Sequence, residues 1–185
     1  MARIAIKEII VETTTVRKPY DASLENVEAQ PVRENPTEGI VPAVLCDIVP
    51  LGFMMQDPPP GKSGKSREVF KLDVIFQIEE ENSRGYRFTP RRRFNLSLNE
   101  KSSFRPVYEA LVGRRVSPEE EQGKSKVGIK TLIALIGKNV QIGLAPSPDG
   151  KYMDITTVTP LGKGQAPVTV SDDYVRAKDR PAVGA

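Results

Sequence analysis

The sequence contains no histidine, no tryptophan and only one cysteine, Cys46. Without histidine there is no imidazole general base and no histidine metal ligand, which excludes many classes of enzyme at once. A lone cysteine cannot form an internal disulfide. Cys46 lies in the apolar run VLCDIV, where a small buried side chain is expected rather than a nucleophile. The sequence therefore predicts a binding protein that is not an enzyme and that needs no cofactor or metal.

Carboxylates offer the remaining route to catalysis. Asp47, Asp73 and Asp154 fall in separate predicted strands, and nothing in their spacing indicates that they converge. Each also has a simpler role as a solvated or turn-capping side chain. A nuclease or a hydrolase is therefore not expected.

Long apolar segments are also missing. The N-terminal stretch MARIAIKEIIVET is interrupted by Arg3, Lys7 and Glu8, so it does not form the core of a signal peptide. No run approaches the roughly 20 apolar residues of a membrane-spanning helix. We therefore expect a soluble protein in a reducing, intracellular setting, without membrane contact.

Aromatic residues make up only 6% of the chain, whereas 16 prolines and 14 glycines predict many loops. We therefore expect a folded core shorter than the 185-residue chain. Residues 1–38 are predicted to form an N-terminal arm or linker, because most of this segment is polar and proline-containing. From Gly162 to the end, apolar residues are again too few for independent folding, and a flexible C-terminal tail is predicted.

Residues 39–161 follow the order β-β-β-α(α)-β-β. The first strand region, GIVPAVLCDIVPLGFMM, is interrupted by Pro42 and Pro50, whereas residues 70–78 alternate cleanly with period two. Helical spacing then predicts a helix that begins near Ser102 or Ser103 and ends at Gly113. Three strands, a helix and a closing hairpin are the order of an OB fold. The predicted fold class is mainly β: a five-stranded OB-fold barrel with one or two short helices, the helix lying between strands three and four.

A basic strand precedes the predicted helix, and residues 84–115 carry nine Lys or Arg against two Glu. In a strand from Tyr86 to Leu98, Arg87, Arg91 and Arg93 would share one face, and the mostly apolar other face would be buried. Arg92 falls on the apolar side, so it should lie at a bulge or pair with a carboxylate. In an OB barrel the face of strands two and three binds the ligand.

The segment PPPGKSGKS joins the first two strands. It is not a phosphate-binding P-loop, because the glycine required five positions earlier is replaced by Pro59 or Gln56. We interpret it as a flexible basic loop beside the ligand groove. The residues predicted to contact phosphates are Lys62, Lys65, Arg67, Lys71, Arg87, Arg91 and Arg93. The aromatic residues predicted to stack on bases are Tyr86, Phe53 and Tyr152.

The segment FNLSLNEKSSFRPVYEALVGRRVSPEE, followed by LIGKNVQIGL and YMDITTVTPL, resembles a group of small, mostly uncharacterised phage-encoded proteins. These are generally regarded as OB-fold, single-stranded-DNA-binding-like replication accessories. The resemblance covers about residues 39–161. It implies binding of single-stranded DNA with little sequence preference, in DNA replication or recombination, with replication or other phage proteins as further partners. It also implies a location in the cytoplasm of a bacterial host cell. The sequence leaves a homo-oligomer open.

Two other functions remain open at this point. The barrel and its arms would also suit a protein-interaction or assembly module, such as a phage structural or inhibitor protein. An RNA-binding OB domain is the third alternative. Binding of oligo-dT, oligo-rU and duplex DNA would separate these three functions.

Overall fold

The computed structural model describes residues 34–58, 61, 63–123 and 127–180. Most of the predicted N-terminal arm, the loop residue Lys62 and the last five residues therefore lie outside the described residues. In the described part of the chain, no helix is long and apolar enough to cross a membrane. The elements are β1 (Gly39–Gln56), β2 (Arg67–Gln77), β3 (Arg91–Asn95), α1 (Phe104–Val112), α2 (Pro118–Glu121), α3 (Ile129–Ile133), β4 (Asn139–Pro146), β5 (Met153–Pro160) and a 3-10 turn (Ala177–Asp179).

The five strands form one antiparallel sheet in the order β3-β2-β1-β4-β5. The first part of β1, residues 39–44, pairs with β4, and residues 44–56 pair with β2. The predicted mainly β architecture is confirmed, and α1, α2 and α3 follow β3 where one or two helices were expected. Closure into a barrel is not confirmed, because β3 and β5 are the two edges of an open hydrogen-bonded sheet.

One face of the sheet forms the core. Leu72, Val74 and Phe76 alternate along β2 and are completely buried, as the period-two pattern predicts. Helix α1 packs on β4 and β5 and buries Phe104 and Tyr108 in the same cluster. Burial of side chains of this size is the main source of stability for the fold.

The predicted end of helix α1 at Gly113 is confirmed. Gly113 adopts φ of 71°, and its backbone N–H donates to the carbonyl of Glu109. A left-handed residue at this position satisfies a free carbonyl of the last turn, and glycine adopts it without steric cost. The helix therefore ends at Val112, directly before the glycine.

Arg92 connects the two edges of the sheet. Its Nη1 donates to the carbonyl of Ile155 on β5 and lies 3.4 Å from the carbonyl oxygen of Thr156. Its guanidinium carbon also lies 5.3 Å from the ring centroid of Phe94. The prediction of a bulge or a carboxylate partner was wrong, because β3 runs in register with β2 and the partners are backbone carbonyls. Arg92 thus points towards the core side and is satisfied there.

Replacing Arg92 by methionine should lower the free energy of unfolding by about 1–2 kcal/mol, because it removes a charged donor from the carbonyls of β5. Urea denaturation followed by circular dichroism would measure this change. Arg91→Met on the opposite, exposed side of β3 is the matched control and should stay within about 0.5 kcal/mol. Equal stabilities of the two variants would show that the bridge does not stabilise the sheet.

Candidate functional site

Basic side chains line up on the face of β2 and β3 that lies opposite the core, here called the outer face. Arg91 is the register partner of Ile75, Arg93 of Asp73, and Asn95 of Lys71. Facing residues of antiparallel strands point to the same side of a sheet, and alternate residues return to that side. Lys71, Arg91 and Arg93 therefore form one cluster, here called the basic row.

Arg93 is held by an ion pair within the basic row. Its Nε lies 2.8 Å from Asp73 Oδ1 and its Nη2 lies 3.1 Å from Asp73 Oδ2. This hydrogen bond, with the attraction between the charges, raises the pKa of Arg93 above its ordinary value. The Arg93 side chain is still 55% exposed, so Asp73 fixes its direction while leaving one side open to solvent. Lys71 and Arg91 have no ion-pair partner among the described residues.

The predicted strand from Tyr86 to Leu98 is shorter in the structure. Only Arg91–Asn95 form β3, although Phe88 continues the pairing with β2 through backbone bonds with Ile78 and Glu80. Pro90 has no backbone N–H to donate, which explains the interruption. Arg87 therefore lies outside β3, and its Nη1 donates to the carbonyl of Thr169 at 2.8 Å.

Beyond the core, β1 and β2 continue as a two-stranded ribbon made of residues 51–56 and 67–71. Lys65 and Arg67 are exposed at its tip. In the ribbon Gly52 faces Lys71, and Phe53 faces Phe70 one position further on. Successive pairs point to opposite sides, so Phe53 lies on the side away from Lys71. Its ring makes a T-shaped contact with Phe70, with 5.1 Å between centroids.

The three aromatic residues predicted to stack on bases do not come together. Tyr86 lies in the turn after β2, and Tyr152 lies in the turn between β4 and β5. Both turns are at the end of the sheet where β1 begins. Phe53 lies towards the other end of β1. Among the described residues, these three side chains therefore form separate aromatic surfaces and not a continuous stacking platform beside the basic row.

A segment that sequence reasoning did not connect with the site lies on the outer face. Residues 168–180, here called the strap, cross β1 and β2. The backbone N–H of Val168 donates to Asn139 Oδ1 at 2.7 Å, and Val168 is 2% exposed. Ser171 bonds the Gln77 side chain twice: its N–H donates to Oε1, and its Oγ accepts from Nε2, both at 2.7 Å.

The strap then reaches a buried carboxylate on β1. Asp47 is 2% exposed and accepts from the backbone N–H of Ala177 at 2.6 Å. It also pairs with Arg176, whose Nε lies 3.4 Å from Oδ1. The buried Tyr174 hydroxyl lies beside the thiol of Cys46 and makes no hydrogen bond that meets ordinary geometry. The strap therefore supplies hydrogen-bond donors to a buried carboxylate, which also accepts from the N–H of Ile48 at 2.9 Å.

The sequence predicts a tail outside the folded domain from residue 162, whereas residues 168–180 contact β1, β2 and the start of β4. One sequence signal could have indicated this contact. Asp47 stands inside the apolar run VLCDIV, and a buried carboxylate requires a donor from elsewhere in the chain. The donors are about 130 residues away in sequence, so no local pattern identifies them.

A second carboxylate is buried near the helices. Glu120 accepts two bonds of 2.7 Å from Arg114, one of 3.0 Å from the Tyr108 hydroxyl and one of 2.9 Å from the N–H of Ser117. These donors, Arg114 foremost, lower the pKa of Glu120 to about 2. All its oxygens are engaged by protein groups, so Glu120 is suited to holding α1 and α2 together rather than to proton transfer.

The described residues contain no group of three or more acidic, cysteine or histidine side chains that could hold a metal ion. Asp47 is engaged by the strap and Asp73 by Arg93. Asp154 lies on β5, which β4 and β1 separate from β2. The structure therefore does not bring the three aspartates of separate strands into one site.

Together, the sheet and the basic row define a mainly β protein with a cationic outer face and a protruding ribbon. No protein family model, no curated protein and no solved structure matches the chain. A function has therefore to be inferred from the geometry of the described residues.

Proposed function

We propose that the protein binds single-stranded DNA with little sequence preference, as an OB-fold accessory of phage or bacterial DNA replication or recombination. The observation that carries this proposal is the basic row on the outer face of β2 and β3, with Lys65 and Arg67 on the adjoining ribbon. OB folds bind oligonucleotides on the face of strands two and three, between the loops that join strands one to two and four to five.

The strand order supports the OB assignment. An OB fold is a partly open five-stranded barrel, and its helix follows strand three. In this protein β3 and β5 are the open edges, and the Arg92 side chain spans them through the carbonyl of Ile155. Helix α1 begins nine residues after β3 ends, at Phe104. This arrangement fits a barrel in which a side chain, and not a ladder of backbone hydrogen bonds, joins β3 to β5.

The composition of the site favours contacts with phosphates over recognition of bases. Lys71, Arg91 and Arg93 present three cations along one face, whereas Tyr86 and Tyr152 lie away from them at one end of the sheet. Contacts with phosphates carry no sequence information, and they release counterions from the nucleic acid. Binding should therefore tolerate many sequences and weaken steeply with salt.

Fluorescence anisotropy with oligo-dT, oligo-rU and duplex DNA, each across a salt series, tests the proposal. We expect oligo-dT to bind more tightly than duplex. Three phosphate contacts should give a slope of about −2 in a plot of log affinity against log salt. Tighter binding of oligo-rU would indicate an RNA-binding protein instead. Absence of binding to all three at about 50 mM salt would contradict nucleic-acid binding.

One observation favours the alternative of a protein-interaction or assembly module. Phe53 and Met55 are 68% and 65% exposed and alternate along β1 in the ribbon, so they share one side. Adjacent exposed apolar side chains on a protruding element are typical of a surface that contacts another protein. If no nucleic acid binds, this side of the ribbon becomes the surface to investigate.

A further inference from the structure

We infer that the strap is a displaceable cover on the DNA-binding face, and that the protein binds single-stranded DNA when the strap is open. This inference rests on the proposed function. The strap crosses the outer face that the basic row shares, and it occupies the part of that face formed by β1 and the end of β2. DNA that continues from the basic row across the sheet meets the strap.

The overlap follows from the register of the strands. Asp47, which binds the strap, faces Ile75, and Ile75 faces Arg91. Asp47 and Arg91 therefore lie in the same row across the sheet. They are two strands apart, so about 10 Å separates their backbones. The strap also holds a predicted phosphate contact directly, because Arg87 donates to the carbonyl of Thr169. Opening the strap releases Arg87 and uncovers β1 together.

The strap competes with DNA by occupying space rather than by charge. Its three cations are balanced by three carboxylates within the same thirteen residues. The cations are Arg176, Lys178 and Arg180, and the carboxylates are Asp172, Asp173 and Asp179. A polyanion therefore gains no net attraction or repulsion from the strap as a whole, and steric overlap decides the competition.

The contacts of the strap are suited to reversible opening. No strap residue forms a strand with the sheet, and Val168 is the only strap residue that is buried. Its polar contacts with the rest of the protein are individual bonds to Arg87, Asn139, Gln77 and Asp47. The Tyr174 hydroxyl is buried beside the thiol of Cys46, which is a weak hydrogen-bonding group. Few buried side chains and few polar contacts are features of a segment that opens locally.

The chain carries its own reporter of strap opening. Cys46 is the only cysteine, it is 1% exposed, and it lies beneath Tyr174. Burial raises the pKa of the thiol to about 11, so the closed state contains little reactive thiolate. The rate at which a disulfide reagent such as DTNB labels Cys46 should therefore follow the population of the open state.

The test compares this labelling rate with oligo-dT affinity in Arg176→Ala and Ser171→Ala, which each remove a strap contact. Both quantities should rise by the same factor, about fivefold for one lost hydrogen bond, because both depend on the same open population. Arg176→Ala also removes a cation, so charge alone predicts weaker binding to DNA, the opposite sign. Lys178→Ala is the matched control, since its ammonium contacts only Asp179 within the strap, and neither quantity should rise.

The outcomes separate the strap from the proposed function. Faster labelling with unchanged or weaker binding would overturn the cover and leave DNA binding intact. Labelling that stays at the wild-type rate in both variants would show that these contacts do not hold the strap closed. If wild type and both variants fail to bind oligo-dT while labelling accelerates, the strap opens but the proposed DNA binding is wrong. Thermal melting of each variant would confirm that the fold is retained.

Discussion

Reversing the charge of Lys71 and Arg91 together should weaken oligo-dT binding about 100-fold at about 100 mM salt. Each reversal replaces a phosphate-contacting cation with a repelling carboxylate. About 1.5 kcal/mol for each position gives about 3 kcal/mol in total, which is about a hundredfold in affinity. The salt slope should also fall by about 1.4, because two phosphate contacts are lost. Anisotropy titrations of Lys71→Glu/Arg91→Glu at several salt concentrations would measure both effects.

The choice of residues avoids two ambiguities. Arg93 is left in place, because its removal would leave the nearly buried Asp73 without its partner and could destabilise β2. The control is Lys130→Glu/Lys163→Glu, which makes the same change in net charge at exposed positions outside β2, β3 and the basic row. If the control weakens binding as much as the test variant, the basic row is not the binding surface and only net charge matters.

Removing the Glu120 side chain should lower the free energy of unfolding more than Arg92→Met does. Glu120→Ala leaves the buried Tyr108 hydroxyl without its acceptor and breaks the capping box at the start of α2. We expect the free energy of unfolding to fall by about 3 kcal/mol. The substitution removes a buried carboxylate and leaves its donors, the Tyr108 hydroxyl and the Arg114 guanidinium, without their acceptor. Urea denaturation of Glu120→Ala and wild type would measure the difference.

A neighbouring residue supplies the control for this change. Glu119 lies one position earlier in α2 and is exposed. Glu119→Ala should therefore change stability by no more than about 0.5 kcal/mol. Equal losses for the two variants would indicate that helix propensity or charge, rather than the network around Tyr108 and Arg114, determines stability here.

The same carboxylate should make the fold sensitive to acid. The folded pKa of Glu120 is about 2, below its ordinary value of 4.5. Its ionised form therefore stabilises the fold fully above about pH 4.5, and this contribution is lost as the pH falls towards about 2. The shift corresponds to at most about 3 kcal/mol. In urea titrations between about pH 6 and pH 2.5, wild type should lose stability more steeply than Glu120→Gln, which carries no titrating group at this position.

Local patterns in the sequence were sufficient for the elements that depend on nearby residues. The period of two along β2 reflects one buried face, and the helical spacing after Ser103 with a glycine at position 113 reflects the packing and the end of α1. The common face of Arg91 and Arg93 followed from the same alternation. These features need only the geometry of one strand or one helix.

The remaining features depend on contacts between distant parts of the chain. The partner of Arg92 is a backbone carbonyl 63 residues later, so no pattern of side chains could indicate it. Pro42 and Pro50 suggested an interrupted first strand, yet β1 continues through both, with a register shift directly after Pro50. The bulge lets the proline remain in a long strand at the point where the ladder is already irregular. The contacts of the strap were not predicted for the same reason, because Arg176 and Ala177 lie about 130 residues from Asp47.

The length of β1 also determines how the molecule holds together as a unit. β2 and β3 form one hairpin-like half of the sheet, β4 and β5 form the other, and β1 is the strand that pairs with both. Its pairings with β4 and with β2 overlap only at Val44. Without β1 the ladder separates into two two-stranded pieces, each marginal in water. The backbone hydrogen bonding between the two halves therefore depends on one strand, whose two pairings meet at Val44, and the Arg92 side chain adds the link between β3 and β5.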